Sequence, residues 1–443
     1  MNLTSFLEKR MLPLAEKISN NIYLSALKHA FISLIPFLIV GSFFLLLINF
    51  PVNGYNDFMA SLLGKGTLDK LNYGIDASYG LMTLLVIVNF SRELVEKLKL
   101  SQSTAILPLA IFFLMAPGKI TSATGEVIGG SYALNDFSAQ SMFLGIIITL
   151  VTVKMVQYLE NSTFTIKMPD SVPPEIAKSF KSLVPILFVM LFWIVIKTLF
   201  EATSYVTAGN FISVMLQEPL LYLGNSIFSQ LIAETLIGLF WFFGIHGDSI
   251  VSSVMGPIWQ TLSAQNLAAT QSGLATTNII TQQFRDVYLI AGGTGFTGAL
   301  LISIFLVAKS TRLKQLSRLA APAAIFNINE PIIFGLPIVL NPLMLIPFLL
   351  TPIVLCTFTY IVIYLGWVPP TSGIAIPWTT PIFISGFLTT GISGALLQGV
   401  NLIIATVIYM PFVKVLDKQY LHEENLQLQE KHTLHPQTQT VSE

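Results

Sequence analysis

The sequence predicts an all-α polytopic membrane protein with about ten transmembrane helices plus two re-entrant helical hairpins, and three observations carry that fold class. Of the 443 residues, 53% are apolar and only 10% charged, against roughly 25% charged in soluble domains. Lysine and arginine are gathered into short clumps that separate long apolar runs. Two further apolar stretches hold prolines and glycines that a straight spanning helix would not tolerate. The formal net charge is zero, so no overall field points to nucleic acid or an acidic partner. Cys356, the single cysteine, lies inside "TPIVLCTFTY", where apolar surroundings disfavour a thiolate; no disulfide, metal site or cofactor is expected.

The first apolar run, 29–49, follows a segment carrying Lys9, Arg10, Lys17 and Lys28. It is longer than the core of a cleaved signal, so it is expected to be an uncleaved span with a cytoplasmic N-terminus. Further runs follow at 79–90, 104–117, 141–159, 182–200, 226–245, 287–308, 345–368 and 390–412. A span needs about 20 helical residues, and "SRELVEKLKL" after Phe90 reads as an amphipathic continuation of a shorter run. Basic clumps at 92–99, 154–181, 309–318 and from Lys414 onward are cytoplasmic by the positive-inside tendency. Between any two of them the chain crosses an even number of times. Only three clear runs lie between Lys181 and Lys309, so the tract 198–284 hides another crossing or one run is re-entrant. Both termini are expected in the cytoplasm.

Segment 321–342 carries Pro322, Pro331, Gly335, Pro337 and Pro342, and each interior proline removes a helical hydrogen bond. A split at Asn329 to Pro331 would give two arms of about eight to eleven residues, each reaching halfway across the bilayer. Segment 247–265, breaking at Gly256-Pro257, is the second and weaker hairpin. Non-helical backbone at membrane depth survives only against protein or a watery cavity, and broken helices at the midplane point to a transporter's substrate site.

Glu330 is the only charged residue between Arg318 and Lys414. A carboxylate at the bilayer centre costs at least about 2.5–3.5 kcal/mol. It either caps a hairpin arm or accepts hydrogen bonds from a polar substrate; the second is preferred, because Asn329 or Asn327 would cap at lower cost. His246, in "FWFFGIHGDS", is open to a helix–helix hydrogen bond or, given Gly244 and Gly247, to a closely approaching ligand. Glu234 is equally a structural partner or a site residue. Asp248, Arg285 and Asp286 lie at run ends, where a solvated or interfacial position is the default; Arg285 and Asp286 are kept as further candidate substrate contacts. Trp241 and Trp378 are either interfacial belt residues or flat surfaces for the apolar face of a sugar ring. Together these residues describe a site for a neutral polyhydroxylated ligand.

At "GIHG" (244–247), "NINEPIIFGLPIVLNP" (327–342), "KMPDSVPPEIAKSF" (167–180) and "AIPWTTP" (375–381), the chain resembles the membrane component, enzyme IIC, of bacterial sugar phosphotransferase systems, in its lactose, cellobiose and diacetylchitobiose branch. The resemblance covers about residues 1–418. It implies a homodimer in the bacterial cell membrane, with an N-terminal dimerisation domain (1–205), a C-terminal sugar-binding domain (206–418) and a polar cytoplasmic tail (419–443) expected to be disordered. It implies a β-linked disaccharide carried inward by a rigid, elevator-like shift and phosphorylated on its 6-hydroxyl by a phosphocysteine on a separate IIB protein, docking on basic loops such as 309–318. It places Glu330 and His246 at that hydroxyl with catalytic roles, Asn329 beside them, and Trp241 and Trp378 on the sugar rings; it lends Asp248 no role. The rival reading is a proton-coupled sugar symporter with Glu330 and His246 as its relay. A sensory or scaffolding protein is the third, and it lacks the long soluble domain expected of a sensor.

Overall fold

The computed structural model describes residues 17, 20–48, 55–121, 126–162, 169, 174–336, 338 and 341–434, and for Glu330 and some other helical residues it describes the backbone alone. The chain forms two compact units: Met1–Ser229 with Ser249–Gln282 and Thr371–Ile376, and Gln230–Asp248 with Gln283–Pro370 and Pro377–Glu443.

In the first unit the principal helices are α1 (Ile22–Ile48), α2 (Met82–Leu98), α3 (Met142–Glu160) and α4 (Pro174–Glu201). Asn21 starts α1 by accepting the backbone N–H groups of Tyr23 and Leu24 at 3.0 and 3.1 Å, satisfying donors that a helix end leaves unpaired. Lys99 ends α2 in the left-handed conformation. One core joins Phe31, Leu34, Met82, Val86, Phe90 and Met142, and a second joins Ile87, Ile111, Phe112, Ile148 and Trp193. Apolar side chains are exposed as well as buried in this unit, as with Phe43, Leu187 and Val195, a pattern suited to an apolar surrounding. A short antiparallel pair, Lys119–Thr121 with Val127–Gly129, lies between two of the helices in sequence.

Among the described residues, five helices are long and apolar enough to cross a membrane: Ile22–Gly41, Ala139–Glu160, Phe180–Glu201, Leu343–Tyr364 and Ile392–Gln427. Two bent pairs, Lys70–Gly80 with Met82–Leu98 and Ala208–Gly224 with Ile227–Phe242, bring the number to seven if each is one span. The second of these bends falls in the tract 198–284, where the sequence leads one to expect a further crossing or a re-entrant run.

The polar site is built in the second unit, on α5 (Ile227–Phe242), the start of α6 (Gly247–Gln271), α7 (Gln282–Tyr288), α8 (Thr297–Val307), α9 (Thr311–Ile325), α10 (Glu330–Gly335), α11 (Pro342–Tyr364) and α12 (Ile392–Leu434). Four sequence expectations are corrected here. The stretch at Gly256-Pro257 does not break: α6 runs through it to Gln271, since one proline removes one helical hydrogen bond and a helix anchored on both sides continues past it. The break in 321–342 falls earlier than Asn329–Pro331. Helix α9 carries Pro322 inside it, ends at Ile325, and Asn327 takes a left-handed φ of 60°. The arms are therefore a 15-residue and a six-residue helix; Pro337, Val339 and Leu340 of that motif lie outside the described residues, as do most of residues 167–173. The run 287–308 is not one span. Its helix stops at Tyr288, and 289–296 is an irregular loop through Gly292, Gly293 and Gly295, all at positive φ.

The fourth correction concerns the tail, which is helical as far as Leu434. Two carboxylates of α12, one just before the tail and one within it, act as acceptors. Asp417 accepts the N–H groups of Lys309 and Ser310 at 2.9 and 2.8 Å, and Glu424 accepts those of Thr311 and Arg312 at 3.2 and 2.9 Å. The N-terminus of α9 is thus capped from α12, and the basic segment 309–318 is mostly helix. Arg312 also lies 4.2 Å above the Tyr420 ring. Asp417→Ala is expected to cost about 1–2 kcal/mol, the loss of a buried cap. A fall in the thermal midpoint in detergent, with partial recovery in Asp417→Asn, checks it.

Candidate functional site

Residues of the two motifs meet through a loop that neither contains. The glycines of 289–296 let its backbone turn on itself: Gly293 donates to Ile290 at 2.7 Å, Phe296 to Gly293 at 3.0 Å, and Gly298 back to Ala291 at 3.2 Å. Thr297 Oγ1 donates to the Gly292 carbonyl at 2.6 Å, and the Tyr409 hydroxyl donates to that of Gly295 at 2.6 Å. A loop so satisfied can persist where water is scarce.

Both hairpin asparagines hold this loop. Asn327 accepts the Gly292 N–H on Oδ1 at 2.8 Å and donates through Nδ2 to the carbonyls of Trp378 and Thr380 at 2.6 and 3.1 Å. Asn329 donates through Nδ2 to the Thr294 carbonyl at 3.0 Å, while its own carbonyl accepts the N–H groups of Ile332 and Ile333 at 3.0 and 2.9 Å. Both are buried. The approach at Gly293 leaves no room for a side chain: a Cβ there would stand 2.6 Å from the Asn329 amide nitrogen, at a φ of 102° that L residues avoid. Gly293→Ala is therefore expected to cost about 1–3 kcal/mol and, by displacing Asn329, to weaken ligand binding. Titration calorimetry beside a melting curve separates the two effects.

The loop then reaches "GIHG". Thr294 donates its hydroxyl to Asp248 Oδ2 at 2.5 Å, and the Trp241 indole Nε1 donates to the same oxygen at 3.0 Å. Asp248 Oδ1 is paired with Arg285 Nη2. Arg285 Nε donates to Glu234 Oε1 at 2.7 Å, and Gln230 Nε2 donates to that oxygen at 2.8 Å. This corrects the expectation of a solvated Arg285: it is 3% exposed, as is Glu234, because each charge finds its partner inside the unit. Buried Arg285 thus pairs with two carboxylates of the same unit. Asp286, its neighbour on α7, is half-buried.

The two indoles differ. Trp378 is 48% exposed, whereas Trp241 is 3% exposed and its ring lies 4.7 Å from that of His246. His246 is exposed. Gly247 lets this turn close on α5, since a Cβ there would stand 2.8 Å from the Ile237 Cα. Glu330 is the first residue of α10, directly after Asn329; its side chain lies outside the described residues. No group of three or more His, Cys, Asp or Glu among the described residues is arranged to hold a metal ion.

Sequence reasoning brought Trp241, His246, Asn329 and Arg285 to attention, and the structure links all four. Of the residues that do the linking, Thr294 is not singled out in the sequence, and Asp248 is named there without a role in the site. The signal for the loop is the glycine cluster "GGTGFTG", which lies inside the apolar run 287–308.

The family model described as "Phosphotransferase system, EIIC" matches residues 28–352. The chain belongs to this EIIC family. Among its relatives is the lichenan permease IIC component of Bacillus subtilis (strain 168), 40% identical over 96% of this chain and 95% of that one. The cellobiose-specific EIIC component of Geobacillus stearothermophilus is also 40% identical, over 94% and 95%. Among solved structures, the transporter ChbC, the IIC component from the N,N'-diacetylchitobiose-specific phosphotransferase system, superposes with a TM-score of 0.90 at 39% identity, covering 95% of this chain and 99% of that chain. As an EIIC, the chain is a helical, multi-pass membrane protein that acts as a sugar permease component, and the polar network described above is the candidate place for the sugar.

Proposed function

We propose that this EIIC translocates a β-linked disaccharide of the cellobiose, diacetylchitobiose or lactose type, and that the sugar's 6-hydroxyl is phosphorylated by a phosphorylated IIB protein at the cytoplasmic face. The observation that carries the reading is the continuous hydrogen-bonded path from Trp241 through Asp248 and Thr294 to Asn329. It brings the exposed His246 and the residue preceding Glu330 into one polar assembly within the second unit. Relatives at 39–40% identity are named for cellobiose and N,N'-diacetylchitobiose.

His246 and Glu330 bind the sugar near the reacting hydroxyl, with Glu330 as general base. The exposed Trp378 indole packs on a sugar ring, and Asn329 and Asp286 supply polar contacts. The protein works as a homodimer with both termini cytoplasmic, and the sugar-holding unit moves in an elevator-like shift. Family membership does not favour the proton-coupled symporter reading. Titration calorimetry of cellobiose, lactose and diacetylchitobiose against the purified protein tests the substrate class. At least one should bind, and His246→Ala should weaken it by tenfold or more, about the value of one hydrogen bond to a charged or strongly polar group. Binding of none of the three removes the reading.

A further inference from the structure

We infer that Asp248 is a positioning residue for the sugar site: its carboxylate sets the place of both the His246 turn and the Asn329–Glu330 hairpin. The proposal rests on the reading of the site given above and deepens it.

The geometry is that of a shared anchor. One carboxylate oxygen, Oδ2, receives two donors from separate segments: the indole N–H of Trp241 on α5 at 3.0 Å and the hydroxyl of Thr294 in the glycine loop at 2.5 Å. The other oxygen is held by Arg285, which Glu234 holds in turn at 2.7 Å. Its acceptors are therefore committed to protein donors, leaving Asp248 to act through the groups it holds. A charge-assisted hydrogen bond is short and directional, so three such bonds on one carboxylate fix three segments relative to each other.

Each arm ends beside a residue that the proposed function assigns to sugar binding. On one side Trp241 is almost wholly buried and carries the exposed His246 imidazole against its ring at 4.7 Å. That burial assigns Trp241 to supporting His246, and leaves stacking on sugar to Trp378. On the other side the Thr294 carbonyl accepts from Asn329 at 3.0 Å, and Asn329 immediately precedes Glu330. A lost anchor would let the imidazole and the hairpin drift apart. Displacement of about 1 Å at a reacting centre is enough to lower rates about 100-fold.

The test compares sugar affinity per folded protein for the tightest binder of cellobiose, lactose and diacetylchitobiose. Asp248→Ala is expected to lose about tenfold in affinity, and Asp248→Asn, whose amide oxygen still accepts from Trp241 and Thr294 while its NH2 no longer pairs with Arg285, to lose no more than about threefold. In a His246→Ala background, Asp248→Ala should lose less than about threefold more, because coupled residues are not additive. Affinity unchanged in folded Asp248→Ala, or losses that simply multiply, overturns the proposal. Where Asp248→Ala does not assemble, Trp241→Phe, which removes the indole N–H and keeps an aromatic ring, carries the same expectation at about threefold, and unchanged affinity there overturns it. Full affinity in His246→Ala alone would instead overturn the underlying site reading, so the two failures are distinguishable.

Discussion

Glu330→Gln is expected to cut sugar phosphorylation by about 10²–10⁴-fold, the usual worth of a positioned general base, while sugar affinity falls by no more than about tenfold. The amide can still accept a hydrogen bond from the 6-hydroxyl, but it cannot take the proton as the phosphoryl group arrives. The backbone is consistent with that duty. Glu330 opens a six-residue helix just after a break at which Asn327 and Asn329 each hydrogen-bond the glycine loop through their side chains. Single-turnover assays with phosphorylated IIB at saturating sugar, beside calorimetric affinities, separate the two effects. Equal loss in both would reduce Glu330 to a binding group.

The second large effect concerns Arg285. Its removal leaves the carboxylates of Glu234 and Asp248 without their cation in an apolar unit, and breaking a buried pair in this way costs about 3–5 kcal/mol. Arg285→Ala should therefore accumulate poorly in membranes and lose its monodisperse peak in detergent. Arg285→Lys should rescue it only in part, because Nε and Nη2 reach two different acceptors and an ammonium offers a single point. A triple variant, Arg285→Met with Glu234→Gln and Asp248→Asn, should recover assembly, since a neutral set avoids the desolvation of three charges. Fluorescence-detected size exclusion reads all three.

How much of this was legible before folding differs by residue. The spans α1, α3, α4 and α11 were, because apolar length alone decides them. The break near Glu330 was also legible, since Pro331 cannot continue a helix from the preceding turn. Its position slipped because the left-handed residue is Asn327, and a single asparagine gives little warning of that. Pro257 misled in the opposite direction: the same rule that breaks one segment is overridden where long helical arms flank the proline. The glycine loop was hidden by its apolar neighbours, although three glycines within four residues were visible at 292–295. Least legible was the ion network. Arg285 is 51 residues from Glu234 and 37 from Asp248 in the chain, so no local spacing could announce that these charges neutralise one another. The helical tail is hidden for a related reason, since its Glu424 caps a helix 113 residues earlier in the chain.

The proposed chemistry of the sugar site is phosphoryl transfer from a cytoplasmic partner. Uptake of radiolabelled cellobiose and diacetylchitobiose into proteoliposomes, with or without phosphorylated IIB sealed inside, addresses that claim most directly. Accumulation of the sugar as its 6-phosphate, dependent on phosphorylated IIB and lost in Glu330→Gln, is the predicted result. Accumulation of unmodified sugar driven by a pH gradient alone, with no IIB present, would contradict it.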